Sequence, residues 1–335
     1  MCTCPWTAGS SSTEAACSRA SSSPRARPRR PAPSSGSPEV ASEDTRRMDL
    51  AVVGAGRVGT SLAVLWRRAG HRIVAVAGGA ATRGRAARFL PGVPVLDAIG
   101  AAKGAEVVVI ATPDAAIGSV CQEMATAGAL DAANAVVHAS GATGLDALAA
   151  AAASGAATLS VHPLQTCPTV EAGVERIPGS TFAVTAAAGD DQGFALGERL
   201  VEDAAGHPVR IADERKPLYH AAAVFASNYL VTVTALAEEL GLAAGIEDPI
   251  AAFAPLQEAT LANIARVGPA EALTGPAVRG DAITLERNLE ALHRYAPDAV
   301  RSYVVLADLA LELAERSGRV RADRTAVEEV LARWR

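Results

Sequence analysis

The chain has 335 residues and a formal charge of −5, and half of its residues are apolar. A chain of this length holds roughly two domains and buries enough surface to fold without disulfide bonds or structural metals. The acidic balance argues against a general nucleic-acid-binding protein, and the composition excludes collagen-like, disulfide-rich and globally disordered chains.

Residues 1–47 are rich in Ser, Pro, Ala and Arg. We expect a disordered tail, because this segment cannot bury enough apolar surface to offset its ordering entropy. Its composition mimics a transit peptide but contains no apolar region of a secretory signal. Alternatively, Met48 is the natural start, since it stands directly before the first predicted strand.

The five cysteines show neither a CxxC pair nor the spacing of a zinc site, so no metal site is predicted. Three of them lie in the tail, and Cys121 and Cys167 lie in the body. An odd number with so few in the folded part favours a reducing cytoplasm.

From residue 49, short apolar runs alternate with Ala-rich amphipathic stretches as far as residue 212. The apolar runs predict strands over 49–53, 72–77, 93–96, 106–111, 134–139, 157–161, 181–185 and 208–212. The amphipathic stretches predict helices over 57–69, 82–90, 114–127, 144–153 and 190–205. This alternation is typical of βαβ units, so we expect residues 48–212 to form a Rossmann-like α/β domain with a doubly wound parallel sheet.

Residues 213–335 show only helical patterns and predict a separate all-helical domain. The predicted helices span 216–240, 247–266, 281–294, 297–316 and 323–334. The longest apolar stretch runs from Ala221 to Ala237, which is slightly short for a membrane span and contains polar residues. We therefore expect a buried core helix there and no membrane partner.

The sequence Gly54-Ala55-Gly56-Arg57-Val58-Gly59 follows the first predicted strand and opens the first predicted helix. This is the context in which G-x-G-x-x-G binds a dinucleotide. Gly54 permits the tight turn, Gly56 lets the backbone approach a pyrophosphate, and Gly59 allows close packing of helix on strand. Arg57 and Val58 belong to the same predicted cofactor-binding turn. The alternative is a glycine-rich turn without a ligand.

The second strand favours NADP as the cofactor. An NAD site usually has an acid about 20 residues after the glycines, but no acid occurs between Asp49 and Asp97. Thr82 and Arg83 lie in the loop after the second strand and suit a 2′-phosphate, because guanidinium groups match phosphate oxygens. The alternative is that the arginines here form a solvated helix face. Further along, Thr112-Pro113 end a strand and are expected to line the nicotinamide ribose.

Candidate substrate residues stand at two strand ends and on the first helix of the second domain. Ser140 and His162 follow neighbouring strands, whose carboxyl ends open onto one crevice. His220 and Asn228 share a helix face, being eight residues apart. Lys216 is expected at the start of that helix, pointing to solvent. The residues favour His220 as proton donor, with Asn228 holding the substrate oxygen and His162 or Ser140 orienting the substrate.

Taken together, these motifs resemble the bacterial proteins that join a Rossmann-like domain to a DUF2520 domain. The match rests on Gly54 to Gly59, Thr112-Pro113-Asp114, Ser140-Gly141, His162-Pro163-Leu164-Gln165, Tyr219-His220-Ala221-Ala222 with Ser227-Asn228, and Leu273-Thr274-Gly275-Pro276 with Arg279-Gly280-Asp281. The resemblance implies the 6-phosphogluconate dehydrogenase-like superfamily, which includes pyrroline-5-carboxylate and ketopantoate reductases. It also implies a homodimer formed through the helical domain.

Several enzymes of that superfamily use a Lys-x-x-x-Asn pair, from which this chain departs. Lys216 is followed four residues later by His220, and the asparagine comes at position 228. The proton donor therefore stays open among Lys216, His220, His162 and Ser140.

The expected function is an NADP-dependent oxidoreductase that transfers a hydride to or from a small carbonyl, imine or hydroxy-acid substrate. The resemblance hints at a 2-oxo acid, since such genes tend to lie beside those for pantothenate synthesis. One alternative is a non-catalytic nucleotide-binding scaffold or regulatory protein, which the missing Lys-x-x-x-Asn pair favours. Another is hydride exchange between NADP and a deazaflavin, which a crevice rich in His and Ser disfavours.

Overall fold

The computed structural model describes residues 47–318 and 324–335. The predicted tail, except for Arg47, lies outside the described residues. The described residues form one sheet whose strands are β1 (Asp49–Val53), β2 (Arg72–Ala77), β3 (Val95–Leu96), β4 (Val107–Ile110), β5 (Ala135–His138), β6 (Ala157–Pro163), β7 (Thr181–Ala186) and β8 (His207–Arg210).

The strand order is β3-β2-β1-β4-β5-β6-β7-β8. Neighbouring strands are parallel except for the antiparallel pair of β6 and β7. All residues of β4 and β5 are buried, since apolar runs such as Val107–Ile110 can be covered by helices on both faces. The order reverses direction beside β1, and ligands bind at such a switch point in doubly wound sheets. The predicted Rossmann-like sheet is confirmed.

Seven helices accompany the strands in the part of the chain before residue 212. They are α1 (Arg57–Arg68), α2 (Thr82–Phe89), α3 (Ala98–Ala102), α4 (Asp114–Thr126), α5 (Ala149–Ala153), α6 (Val170–Arg176) and α7 (Asp191–Asp203). Sequence reasoning missed α3 and α6, which are short. The predicted helix 144–153 begins as a 3-10 turn over Leu145–Leu148.

These helices cover the two faces of the sheet, and each face has its own apolar core. One core contains Trp66 and Phe182, and the other contains Ile117 and Met124. The Trp66 indole donates a hydrogen bond to the carbonyl of Leu200, which satisfies its buried N–H group.

Beyond residue 212 the described residues are helical, as predicted. The helices are α8 (Lys216–Ala226), α9 (Asn228–Ala243), α10 (Pro249–Val267), α11 (Pro269–Ala272), α12 (Pro276–Arg279), α13 (Ala282–Tyr295), α14 (Val300–Arg316) and α15 (Arg324–Trp334). The predicted helix 216–240 is interrupted at Ser227, where the backbone leaves the helical region with φ −125 and ψ −66.

The expectation of a buried core helix over Ala221–Ala237 is wrong. Most of its side chains are exposed in this chain, including Phe225 at 68% and Val231 at 68%. The core of the helical region is built instead from α12–α15, around Leu289 and Val304. Apolar composition predicted burial, but the neighbouring helices of the chain do not cover this stretch.

A substitution at Gly59 would test how tightly α1 packs on the sheet. A Cβ at this position would lie 2.5 Å from the Gly54 carbonyl oxygen and 3.0 Å from the Ala111 side chain. Gly59→Ala should lower the free energy of unfolding by about 1–3 kcal/mol, the usual cost of overpacking. Urea denaturation followed by circular dichroism measures this.

Gly84→Ala is the matched control, because a Cβ there meets nothing within 4 Å and the residue lies in α2. It should leave stability unchanged or raise it by about 0.5–1 kcal/mol, since alanine favours helices. Equal effects of the two substitutions would contradict the packing of α1 on β1.

Candidate active site

The glycine turn brings the end of β1 against the end of β4. Gly54 has φ +95, a region that favours glycine, and a Cβ there would lie 2.4 Å from the backbone nitrogen of Thr112. At Gly56 the closest atom to a built Cβ is 3.8 Å away, so the backbone is open on that side. The turn therefore packs closely against β4 while leaving space in front of α1.

A cavity of about 350 Å³ occupies that space. It is lined by Gly54, Ala55, Gly56, Gly78, Gly79, Ala80, Ala81, Thr82, Arg85, Ala111, Thr112 and Pro113. These residues follow β1, β2 and β4, so the cavity lies at the carboxyl edge of the sheet. We call it the glycine-turn cavity.

The residues of the glycine-turn cavity fit a dinucleotide. The N-terminus of α1 at Gly56 has no side-chain cap, and helix N–H groups of this kind bind phosphates. The hydroxyl of Thr112 is buried and has no hydrogen-bond partner in the described part of the chain, so it is free to bind a ligand. Both features agree with a nicotinamide dinucleotide lying across the turn.

Four predicted cofactor residues do not line the glycine-turn cavity, and one of them, Gly59, lies beneath the turn against Gly54 and Ala111. Arg57 is exposed and donates to the carbonyl oxygen of Pro168 at 3.3 Å, Val58 packs against the core, and Arg83 is exposed on α2. Arg85 lines the cavity instead, and its guanidinium donates to the carbonyl oxygen of Ala55 at 2.5 Å. Helical spacing could have favoured Arg85, since it lies three residues after the lining residue Thr82.

A second cavity, of about 610 Å³, lies between the end of β6 and helices α8 and α9. It is lined by His162, Pro163, Leu164, Gln165, Thr166, Tyr219, His220, Ala222, Ala223, Val224, Ala226, Ser227 and Asn228. The structure thus brings together His162, His220 and Asn228, three of the predicted substrate residues. We call this the histidine cavity.

Tyr219 is a member of the histidine cavity that sequence reasoning did not assign to the site. Its hydroxyl lies 3.0 Å from Nδ1 of His162, and the two rings meet edge to face. Burial raises the pKa of Tyr219 to about 12, so the phenol keeps its proton near neutral pH. The adjacent His220 has a buried Nδ1 atom without a hydrogen-bond partner among the described residues.

Lys216 was expected to point to solvent, and that expectation is wrong. It begins α8, is fully buried, and donates from Nζ to the Ser140 carbonyl oxygen at 3.0 Å and to Ser160 Oγ at 2.8 Å. Pro217 follows it at a position where helices accept proline, so the helix starts with the lysine turned inward. Lys216 therefore connects the turn after β5 to the middle of β6, and it does not line the histidine cavity.

Ser140 is also held away from the histidine cavity. Its hydroxyl donates to Thr143 Oγ1 at 2.9 Å and accepts from the backbone nitrogen of Thr143 at 3.0 Å. The side chain thus stabilises the turn after β5. It does not belong to the residues that line the histidine cavity.

Lys216 and the two histidines near it have pKa values shifted by burial and by neighbouring charges. Burial lowers the pKa of Lys216 to about 8, against the opposing effect of Asp213 and Asp114. Burial, followed by the positive charge of Lys216, lowers the pKa of His162 to about 4 and that of His138 to about 3. Both imidazoles are therefore neutral near pH 7.

Two family profiles match the sequence. A Rossmann-like domain matches residues 33–163, and the Domain of unknown function (DUF2520) matches residues 180–310. The chain therefore combines a Rossmann-like domain with a DUF2520 domain. No curated protein shows significant similarity to it.

Solved structures share the fold of this Rossmann-like and DUF2520 chain. An inferred NADP oxidoreductase from Bacteroides fragilis has 22% identity and a TM-score of 0.66, covering 79% of this chain and 98% of its own. A Thermotoga maritima protein has 23% identity and a TM-score of 0.61, with coverage of 81% and 100%. The reductive aminase of Aspergillus terreus, solved with NADPH and ethyl levulinate, has 16% identity and a TM-score of 0.55, with coverage of 87% and 100%.

Proposed function

We propose that this protein is an NADP-dependent oxidoreductase that transfers a hydride to or from a small carbonyl, imine or hydroxy-acid substrate. The observation that carries the proposal is the unpartnered, buried hydroxyl of Thr112 beside the open backbone of Gly56. A nicotinamide dinucleotide satisfies both. NADPH in the complex with the Aspergillus terreus reductive aminase lends further support, since that enzyme shares the fold.

The histidine cavity is the proposed substrate site. A bound NADPH would supply the hydride for the substrate carbon, and the substrate oxygen or nitrogen would take up the electron pair of the reduced bond together with one proton. His220 is the proposed proton donor, because it lines the cavity and its Nδ1 atom has no described partner. Asn228 lines the same cavity and is the proposed hydrogen-bond donor to the substrate. Lys216 and Ser140 do not line the histidine cavity, and their proposed role is to hold the surrounding strands and turn in place.

The proposal also covers the cellular compartment and the choice between NADP and NAD. Both described cysteines, Cys121 and Cys167, are free, which suits a reducing cytoplasm. NADP is the proposed dinucleotide because Arg85 borders the glycine-turn cavity, where a guanidinium can bind a 2′-phosphate.

A second copy of this chain is the proposed partner of α8–α10. Their exposed large apolar side chains are Leu218, Phe225, Tyr229, Leu230, Val231, Val233, Leu242, Ile250, Leu256, Leu261, Ile264 and Val267. Only Lys216, Gly241 and Pro249 are buried in these three described helices. Twelve half-exposed side chains offer on the order of 1,000 Å² per chain, which matches a stable dimer interface.

A membrane is the alternative partner, since the segment Asp213–Ala243 is long and apolar enough to cross one by length and composition. The break at Ser227 divides that segment, and α9 has only 16 residues and carries Glu238 and Glu239. A spanning helix needs about 20 largely apolar residues. These features favour a protein partner.

Arg85→Ala should weaken NADPH binding tenfold or more and leave NADH binding nearly unchanged. A hydrogen bond to a charged group contributes about 1.5–3 kcal/mol, and only NADPH carries the 2′-phosphate. Isothermal titration of both dinucleotides measures the effect. Arg83→Ala is the control, because Arg83 lies outside the glycine-turn cavity.

Two experimental outcomes would contradict the assignment of NADP as the cofactor. Equal affinities of the parent protein for NADPH and NADH would exclude recognition of the 2′-phosphate. Equal weakening of both dinucleotides by Arg85→Ala would show that Arg85 only supports the turn through its hydrogen bond to Ala55.

His220→Ala should lower kcat at least a hundredfold, because a positioned acid contributes about 10²–10⁴-fold to a proton transfer. The affinity for NADPH should persist, since His220 lies outside the glycine-turn cavity. The assay follows NADPH oxidation with a panel of 2-oxo acids, ketones, aldehydes and cyclic imines. His207→Ala, at an exposed position in β8, is the control.

Near-normal turnover by His220→Ala would remove the residue from the mechanism. NADPH binding without turnover of any panel member would favour the scaffold or regulatory protein instead.

Leu256→Glu should convert the protein from a dimer to a monomer, because it places a charge in the proposed interface. Light scattering coupled to size-exclusion chromatography measures the mass. Leu96→Glu, at an exposed position of β3, should stay dimeric. A monomeric parent protein, or a parent that floats with phosphatidylcholine vesicles, would contradict the dimer.

A further inference from the structure

His162 is held by contacts on several sides within the histidine cavity. The Tyr219 hydroxyl lies 3.0 Å from Nδ1. A Cβ at Gly141 would lie 2.8 Å from Cε1, 2.9 Å from Nδ1 and 3.0 Å from Nε2 of the ring. The imidazole thus lies against the Gly141 backbone at a distance that no other residue type permits.

The hydrogen bond with Tyr219 couples the tautomer of His162 to the direction in which this bond is donated. The phenol has one hydrogen, and Nδ1 of His162 is its hydrogen-bond partner in the described chain. When the phenol donates that hydrogen, Nδ1 is unprotonated and the ring hydrogen of neutral His162 lies on Nε2. Nε2 makes no hydrogen bond among the described residues, which leaves its N–H group available to a ligand in the cavity.

The charge of His162 is set by the groups around it. Lys216 lies behind the strand ends and disfavours the imidazolium form, as does His220 on α8, while Asp114 on α4 favours it. Burial is the largest influence and also disfavours the charged form. The net result is a pKa of about 4, so His162 stays neutral over the range in which enzymes usually work.

Lys216 also holds the turn at Ser140 and Gly141, against which the His162 ring lies. The Ser140 carbonyl oxygen, one residue before Gly141, accepts from both Lys216 Nζ at 3.0 Å and Ser160 Oγ at 3.2 Å. Lys216 therefore acts on His162 in two ways, through its charge and through the position of the turn that carries Gly141.

We propose that Tyr219, Gly141 and Lys216 are positioning residues that hold His162 as a neutral Nε2–H donor for an oxygen atom of the substrate. The substrate class rests on the proposed function: the reacting group is an aldehyde, ketone or alcohol. An imine accepts a hydride readily only as its protonated iminium ion, and that ion does not fit, because its nitrogen has no lone pair to accept from Nε2–H. A neutral imidazole with this geometry polarises a carbonyl without giving up its proton.

The tautomer is measured directly by NMR of the full chain labelled with ¹⁵N-histidine, with His162 assigned through the His162→Asn variant. The expected spectrum shows a protonated Nε2 and an unprotonated Nδ1 that do not titrate between pH 8 and about 5. Tyr219→Phe should change the ratio of the two tautomers. Tyr295→Phe, at an exposed position, should not change it. A protonated Nδ1, or titration near pH 6.5, would overturn the proposal.

Lys216→Met separates positioning from a merely structural role. Methionine is unbranched, is one atom shorter than lysine and carries no charge, so the pKa of His162 should rise measurably in the same NMR titration. Gly141→Ala should leave that charge in place and shift the ring signals of His162, because the added Cβ displaces the imidazole. Unchanged His162 signals in both variants would show that neither residue positions it.

The substrate class is tested with the NADPH oxidation panel, comparing ketones and aldehydes with cyclic imines. Turnover of carbonyl compounds alone is expected, with Tyr219→Phe lowering kcat more than it raises KM. Turnover of imines alone would overturn the substrate class while leaving the oxidoreductase intact. Failure to bind NADPH would overturn the proposed function, and the NMR spectrum would still decide the state of His162.

Discussion

The buried ammonium group of Lys216 is the interaction on which the site depends. It reaches the Ser140 carbonyl after β5 and the Ser160 hydroxyl within β6, and it belongs to the first residue of α8. A charge without partners in such a place would cost several kcal/mol, so the two oxygen acceptors and the nearby carboxylates are needed for the fold. The same contacts fix the start of the helical region against the carboxyl edge of the sheet.

The attachment of α8 through Lys216 explains which residues line the histidine cavity. Because α8 starts at Lys216, Tyr219 and His220 follow within the next turn and face the end of β6. His162 then meets Tyr219 on one side and the Gly141 backbone on another. One cation thus positions residues of the sheet and of the helical region, and its charge adds to the effect of burial that keeps the neighbouring imidazoles neutral. The glycine-turn cavity is built differently, since eight of its twelve lining residues are Gly or Ala.

The helical region has an apolar surface that its own chain leaves uncovered. α12–α15 bury Leu289 and Val304 in a small core, whereas α9 and α10 bury little more than Gly241 and Pro249. Soluble monomers rarely expose so large an apolar surface. Helices α8 and α9, which carry part of this apolar surface, also form one wall of the histidine cavity through Ala226 and Asn228. A partner on this surface would therefore lie close to the proposed substrate site.

The amino-acid sequence alone predicted the eight strands, the longer helices, the glycine turn and the change to helices after residue 212, but not short helices such as α3 and α6. The predicted features follow from local patterns: apolar runs of Val and Ala form buried strands, and a turn at φ +95 requires glycine at position 54. His162, His220 and Asn228 were also found, since strand ends and helix spacing predict where such side chains meet. Three features became visible only in the folded chain. Lys216 turns inward, Arg85 rather than Arg83 borders the glycine-turn cavity, and most of residues 221–237 are exposed. The physical reason is that each outcome depends on which distant element packs against the residue, and local sequence does not encode that contact.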